Sequence, residues 1–415
     1  MRILLLEQFF DPEPTFKGLA FAKALIGQGH EVEVLTGFPN YPGGKLYPGY
    51  RMALWQREHM DGVRVNRVML YPSHNKSAVR RIANYLSFAI SASILGPLLV
   101  RKPDIVYVYH PPATIGLPAM ILRALWRVPF VYDIHDLWPD TVATSGMMNN
   151  RLLIGLLDRF CDLVYRQADR LVVVSRGFRR ALLRRGVPEE KVHLIHNWAD
   201  ERSIQALPRD NKLAEELGLS GKFNVLFAGT MGTAQALDAV LDAALICATS
   251  AANVQFVFVG GGVDRERLEQ QARAMGLANV VFLPVRPMNE MSPLLALADG
   301  VLVHLKDAPL FHITIPSKTQ AYMAVGKPIL MAVAGDAAEL VEAAGAGTTC
   351  AAEDAHSIAA AVQRLQATAP AELEAMGARG KDFYDRNLSM AVGVAKHLHV
   401  LRSALRPGRP RRRAA

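Results

Sequence analysis

Four groups of residues have types and spacings that could do chemistry. Pro316-Ser317-Lys318-Thr319 opens the stretch PSKTQAYMAVGKPIL. The fixed φ of Pro316 suits the first turn of a helix, Gly326 would stop it, and a buried strand is predicted over 329–333. A helix start with free amides and a lysine beside it is a ready site for an anion such as phosphate. Gln320, His312 and Thr314 are the nearest further polar groups. Gly229 and Gly232, and then Gly260, Gly261 and Gly262, stand where strands give way to helices, and Gly18 follows the first strand. Glycine there permits close backbone approach to a ligand, although each cluster alone is equally a turn. HDLWPD carries His135, Asp136 and Asp140, an imidazole and two carboxylates beyond a strand end. His135 could instead satisfy buried backbone. The HDxxxD spacing could hold a metal but lacks a clear third ligand, so no metal is expected. His110 in YHPP ends another strand, open between packing and ligand contact. Asn40 and Tyr41 lie in the Pro-, Gly- and Tyr-rich loop 38–50, suited to stacking on a sugar.

Alternating strands and helices must position these groups. Apolar runs predict buried parallel strands over 2–6, 30–36, 104–109, 130–134, 171–174 and 192–195. After a charged, Pro-containing break at 200–211 a second series is predicted over 224–228, 254–259, 280–283 and 300–305. Each series reads as a Rossmann-like α/β unit, in which ligands bind beyond the carboxyl ends of the strands. The expected division is 1–205, 206–385, a returning helix over 386–405 and a basic tail over 406–415.

The chain has 415 residues, 51% hydrophobic and 20% charged, which excludes a disordered protein and favours two domains. Its net charge of +9 suggests an anionic partner. Aromatic residues make up only 7%, no nucleic-acid motif occurs, and arginines concentrate in the tail and in 176–185, so nucleic acid is not expected. The three cysteines form no CxxC pair and fit a reducing cytosol. Residues 82–100 lack charge for nineteen positions, flanked by Arg80, Arg81, Arg101 and Lys102. They read either as a buried helix or as one that dips into a single leaflet.

The phrases GHEVEVLTG, DIHDLWPD, HNWAD and PSKTQAYMAVGKPIL, in that order from Met1 to about Arg402, resemble glycosyltransferase family 4, in the branch that builds bacterial surface polysaccharides. The resemblance implies a GT-B fold, α/β, with two facing Rossmann-like domains and a central cleft. It implies a retaining, metal-independent hexosyltransferase without a cofactor. The C-terminal domain would take the nucleotide sugar and the N-terminal domain the acceptor. His135 matches a family histidine that hydrogen-bonds the donor sugar near the reacting carbon, so His135 and Asp136 are the expected catalytic pair. Arg286 lies where the family's loop reads the base. The donor set is then Gly18, Gly229, Gly232, Gly260, Gly261, Arg286, His312, Thr314, Pro316, Ser317, Lys318 and Gln320. The acceptor set is Asn40, Tyr41, His110 and Asp140. Many family members carry two glutamates eight residues apart where this chain has Ile313 and Ala321. Many also carry an arginine and a lysine where it has Thr230 and Gln235. Diphosphate contacts must therefore come from elsewhere.

The expected function is transfer of a sugar, UDP-linked, to a lipid-linked saccharide in exopolysaccharide or O-antigen synthesis. The enzyme would be cytoplasmic and peripheral on an anionic membrane face. The alternatives are a GT-B sugar-nucleotide epimerase, for which no distinct acid–base set is visible, and a catalytically silent membrane-associated nucleotide-binding protein.

Overall fold

The structure is a computed structural model that describes residues 1–73, 77–144, 150–251 and 253–405. The basic tail expected at 406–415 lies outside the described residues. The chain divides into two compact units, Met1–Ile195 with the residues from Val394 on, and His196–Gly393.

The first unit is built on an eight-stranded sheet. Its strands are β1 (Arg2–Glu7), β2 (Glu31–Gly37), β3 (Trp55–Met60), β4 (Val63–Val68), β5 (Ile105–His110), β6 (Phe130–Ile134), β7 (Arg170–Val173) and β8 (Val192–Leu194). The order is β3-β4-β2-β1-β5-β6-β7-β8. All neighbours are parallel except β3 with β4. Runs such as RILLLE and IVYVYH are apolar on both faces because helices cover both sides. The order reverses at β1, so the ends of β1 and β5 form a topological switch point, where such sheets bind ligands.

The hairpin β3–β4 was not among the predicted strands. Its turn is Asp61-Gly62, both at positive φ (48° and 84°), the two-residue loop that matches strand twist. Its sequences WQREHM and VRVNRV look too charged for a sheet. The structure resolves this by burying Arg67 completely. Arg67 pairs with Glu58 at 2.5 Å and donates to the carbonyls of Gly37 (3.0 Å) and Asp11 (2.5 Å). A buried guanidinium is tolerated only when its donors are filled in this way.

The second unit has a six-stranded parallel sheet: β9 (Phe223–Ala228), β10 (Val254–Val259), β11 (Val280–Leu283), β12 (Gly300–His304), β13 (Ile329–Ala332) and β14 (Gly347–Thr349). The order is β11-β10-β9-β12-β13-β14, with the switch between β9 and β12. The three-residue strand β14 is too short to carry a periodic signal.

The units change at Ile195–His196, not at 205. The sequence places 196–205 in the first unit, with a break over 200–211, but Ala199 and Ile204 are core residues of the second unit. The Ala199 N–H also donates to Tyr384 Oη at 3.1 Å. The last helix runs Met390–Ala404, and from Val394 it belongs to the first unit, where His397 is buried.

Helix Ala78–Leu99 contains the uncharged stretch. It is the one helix among the described residues long and apolar enough to cross a membrane, and 44% of its most apolar window is buried inside the protein. Asn84 is fully buried, donating to Asn40 Oδ1 (3.1 Å) and the Tyr71 carbonyl (2.7 Å) and accepting from Gln8 (2.6 Å). The opposite stripe, Leu86, Ile90, Ile94 and Leu98, is exposed at four-residue spacing.

Candidate functional site

In the second unit the sequence brings Lys318 to the end of β9. Helix Ser317–Ala324 starts at Pro316 and has no side-chain cap, so the amides of Ser317 and Lys318 are left without a helical acceptor. Tyr322, one turn on, accepts from the Ala228 N–H at 2.9 Å and so pins the helix to the strand end. Lys318 Nζ then lies 3.6 Å from the centroid of the Phe227 ring. A side chain at Gly229 would begin 3.4 Å from it. Among the described residues the ammonium has no hydrogen-bond partner, and neither does the buried Thr319 hydroxyl. Burial pulls the Lys318 pKa down to about 7. A buried, unpaired cation beside an uncapped helix start and a glycine turn is prepared for an anion.

The glycines have a different task from the one expected. The Gly229 and Met231 amides already donate to the carbonyls of Val259 (2.9 Å) and Gly261 (2.7 Å), and that of Gly232 to Gln235 Oε1 (3.2 Å). The first two bonds zip the two glycine loops together. A Cβ at Gly260 would fall 2.1 Å from the Gly229 carbonyl oxygen, and one at Gly262 equally close to that of Met231. Gly260, at φ 135°, therefore has no substitute. Gly260→Ala is expected to destabilise the protein by about 2 kcal/mol or more, read as a lowered denaturant midpoint. A midpoint equal to wild type would contradict the zipped arrangement.

The other expected donor residues divide. Pro316 and Ser317 stand with Lys318. Gln320 is buried, and its amide, in the orientation that satisfies it, donates to the carbonyls of Pro316 (3.0 Å) and Ser317 (3.1 Å), so it faces its own helix and not a ribose. The Thr314 hydroxyl donates to Leu310 at 2.7 Å. His312 Nε2 lies 2.5 Å from Asp307 Oδ1 on the surface. Arg286 is exposed and pairs with Glu290 at 3.3 Å. His304, not foreseen, bonds the Gln235 carbonyl through Nδ1 (2.7 Å) and accepts the Glu353 N–H at Nε2 (3.1 Å), fixing the loop beside Lys318.

Gly18 belongs to the first unit and is filled rather than open. It starts helix Gly18–Gly27 at φ 50°, and a Cβ there would fall 2.3 Å from Asp11 Oδ2. Asp11 accepts the Leu19 N–H at 2.6 Å, so this helix start already holds a carboxylate.

His135 follows β6, with its ring 4.5 Å from that of Tyr109 and 6.2 Å from that of Phe16. Its Nε2 is 3.1 Å from Asp133 Oδ2. Asp136 beside it is pushed up by burial, against the pull of His135. His110 is buried between Tyr132 and Trp138. Both its ring nitrogens lack a partner among the described residues, and burial lowers its pKa to about 3. It stands in the core as neutral imidazole. Asn40 is also buried, donating to the Phe38 carbonyl at 3.0 Å and accepting from Asn84. Its side chain is thereby spent inside the protein. Tyr41 is part-buried, tilted 5.1 Å from Phe9. Asp140 is exposed, 4.0 Å from Arg185.

Several charged groups at these strand ends were missed. Glu7 ends β1, fully buried, and burial raises its carboxyl to about 8. Glu13 accepts the amides of Asn40 and Tyr41, each at 2.6 Å, and burial raises it to about 7. Lys17 is lowered by burial to about 8, and its Nζ is 3.8 Å from Asp133 Oδ2. Asp133 had a signal: it sits two residues before His135 on a strand, hence on the same face.

Two family models match the chain, "Glycosyl transferase 4-like domain" over 19–198 and "Glycosyl transferases group 1" over 222–368. Three curated relatives are similar over most of their length. WbjE of Pseudomonas aeruginosa, a probable glycosyltransferase, is 25% identical over 81% of this chain and 84% of its own. WcaI of Escherichia coli K12, a colanic acid biosynthesis glycosyl transferase by name, is 28% identical over 79% and 82%. A GDP-mannose-dependent alpha-mannosyltransferase of Mycobacterium tuberculosis is 26% identical over 82% and 81%. Among solved structures, Anabaena HepE in complex with UDP-glucose superposes with a TM-score of 0.69 over 97% of this chain and 99% of its own, at 18% identity. The parallel sheets, the matched family models and the solved-structure likeness converge: the chain belongs to glycosyltransferase family 4 and is a retaining, nucleotide-sugar-dependent hexosyltransferase of GT-B fold.

Proposed function

We propose that the enzyme transfers a hexose from a UDP-sugar to a lipid-linked saccharide on the inner face of the cell membrane, in exopolysaccharide or O-antigen assembly. The observation that carries the donor half is Lys318, a buried ammonium without a counter-charge among the described residues. As the glycosidic bond breaks, the leaving diphosphate gains charge, and a preorganised cation with helix amides stabilises it. Lys318 does this where Thr230 and Gln235 replace the family's usual cations. UDP is favoured by HepE, whose complex contains UDP-glucose. The mannosyltransferase relative makes GDP-mannose the competitor to test. Screening UDP-, GDP- and dTDP-sugars for thermal stabilisation separates them, because a ligand of the native state raises stability by mass action. Stabilisation by GDP-sugars alone would overturn the UDP assignment.

The acceptor half is supported by the outer face of helix Ala78–Leu99. Ile94 is 63% and Leu98 78% exposed, and beside them Leu54, Met69 and Tyr71 line a groove of about 510 Å³. Arg80, Arg101 and Lys102 are exposed at the two ends of the helix. An apolar stripe with basic flanks is the pair of signals that peripheral membrane binding uses, each basic group contributing about 1 kcal/mol. Full insertion would strip Asn84 of its buried partners, which favours lying on the bilayer over spanning it. In liposome co-sedimentation we expect binding to anionic vesicles, weakened by high salt. Ile94→Asp or Leu86→Asp should reduce it about tenfold, since each apolar side chain contributes on the order of 1.5 kcal/mol. Absence of binding to any vesicle by the folded enzyme would remove the membrane from the proposal.

A further inference from the structure

The groove of about 510 Å³ in the first unit is lined by Ile90, Ile94 and Leu95 of helix Ala78–Leu99 and by Leu54, Met69 and Tyr71. Its walls are pinned together. The Ser91 hydroxyl donates to the Met69 carbonyl at 2.5 Å, the Tyr71 N–H to the Ser87 hydroxyl at 2.8 Å, and the Met69 N–H to the Leu54 carbonyl at 3.1 Å. The two serine hydroxyls in the lining are thereby spent on backbone, so the groove offers a surface to hydrocarbon and no partner to a sugar. Ser87 to Leu95 covers about 12 Å of helix axis. The start of the same helix is polar. Its N-cap Ser77 makes no side-chain cap, which leaves the first-turn amides without a helical acceptor. Arg80 is exposed and stands seven residues, two turns, before Ser87, and so on the groove's side of the helix. Arg81 turns inward, and its Nε is buried with no hydrogen-bond partner among the described residues. Tyr85, one turn on, is buried with its ring 6.0 Å from that of Trp138. Burial raises the Tyr85 hydroxyl, and the charge of Arg81 pulls it back. Asn84 ties this corner to the loop after β2, donating to the Tyr71 carbonyl at 2.7 Å and to Asn40 Oδ1 at 3.1 Å.

We propose that this corner binds a single-chain lipid phosphate, with Arg81, Arg80 and the first-turn amides on the phosphate and the first part of the chain in the groove. This rests on the reading that the acceptor is a lipid-linked saccharide. A buried guanidinium nitrogen with nothing to donate to costs free energy until an acceptor arrives. A neutral lipid would leave it unfilled, whereas a phosphate takes charge-assisted hydrogen bonds from the arginines and suits the helix start. One groove beside the arginines fits one chain, so a two-chain phospholipid is the poorer match. The exposed stripe Leu86, Ile90, Ile94 and Leu98 shares Ile90 and Ile94 with the groove, so a chain passes from a bilayer into the groove without crossing water. The order of the parts also fixes how the acceptor lies. The chain follows the outer side of the helix, and the phosphate sits at its start. The sugar beyond it meets the loop of Asn40 and Tyr41, which Asn84 holds in place.

The test is calorimetric titration of the full-length enzyme with farnesyl diphosphate, a soluble single-chain lipid diphosphate. UDP is present at saturation so that the nucleotide site is already occupied. The probe should bind at least about tenfold more tightly than inorganic diphosphate or farnesol, because chain and phosphate both contribute. Arg81→Met should weaken it about 10- to 100-fold, the scale of a charge-assisted hydrogen bond. Met69→Trp, at a position 42% exposed, fills the groove with apolar surface. It should weaken the probe about tenfold and leave sedimentation with anionic vesicles unchanged. A probe no tighter than inorganic diphosphate, or full affinity in Met69→Trp, would overturn the groove. Full affinity in Arg81→Met would overturn the phosphate site, and should that variant fail to fold, full affinity in Arg80→Met would do the same. The proposal and the bilayer reading fail separately. An enzyme that sediments with anionic vesicles yet ignores the probe keeps the bilayer reading and ends this one. An enzyme that binds the probe but sediments with no vesicle keeps the subsite and loses the bilayer.

Discussion

Lys318→Met is expected to weaken UDP binding by about 1–3 kcal/mol, the scale of a charge-assisted hydrogen bond, while raising the melting temperature of the ligand-free enzyme. Both effects have one cause. Methionine keeps the apolar stem over Phe227 and removes a cation that burial disfavours. The sign with pH follows from the depressed pKa, about 7 in the folded enzyme against 10.5 for an ordinary lysine. Between these values the unfolded chain binds more protons than the folded one, so wild-type stability rises with pH through that window. Below about pH 7 the full penalty is present. The melting-temperature gap between Lys318→Met and wild type should therefore be widest at pH 6.5 and close as pH approaches 10. A variant no more stable than wild type at any pH would mean that the ammonium has a partner.

His135→Ala is expected to lower turnover about 10²- to 10³-fold, the usual loss when a preorganised hydrogen bond to the reacting group is removed. UDP affinity should change little, since the proposed nucleotide site is built from groups of the second unit. A fall in kcat with unchanged UDP binding is the mark of an interaction made chiefly in the transition state. Unimpaired turnover with the true donor would return His135 to a structural role.

The long apolar strands and the two-unit organisation were legible because parallel strands buried on both faces leave uninterrupted apolar runs. The hairpin β3–β4 was not legible. Arg67 and Glu58 make it look solvent-exposed, and only the tertiary structure shows what fills the buried guanidinium. Lys318 was legible from Pro316 and the uncapped helix start. That it lies over Phe227, next to Gly229, depends on strand order and on Tyr322, which no local pattern carries. Gln320 and Asn40 were polar residues in suggestive loops, yet both turn inward to hydrogen-bond the protein itself. Sequence spacing does not distinguish a side chain facing a ligand from one facing its own backbone. The Asp133 cluster was half visible, since period two puts Asp133 on the face of His135. Lys17 and His397 reach it from distant segments.

The central claim, that Lys318 receives the donor diphosphate, is tested most directly by calorimetric titration of UDP between pH 7.5 and 8.5, where the diphosphate is ionised and the uracil ring is neutral, in two buffers of different ionisation enthalpy. An anion beside Lys318 favours its charged form, so binding should take up a proton and affinity should fall as pH rises. In Lys318→Met both the proton uptake and the pH dependence should vanish. UDP binding of equal strength across that range, with no proton taken up by the wild-type enzyme, would place the diphosphate elsewhere.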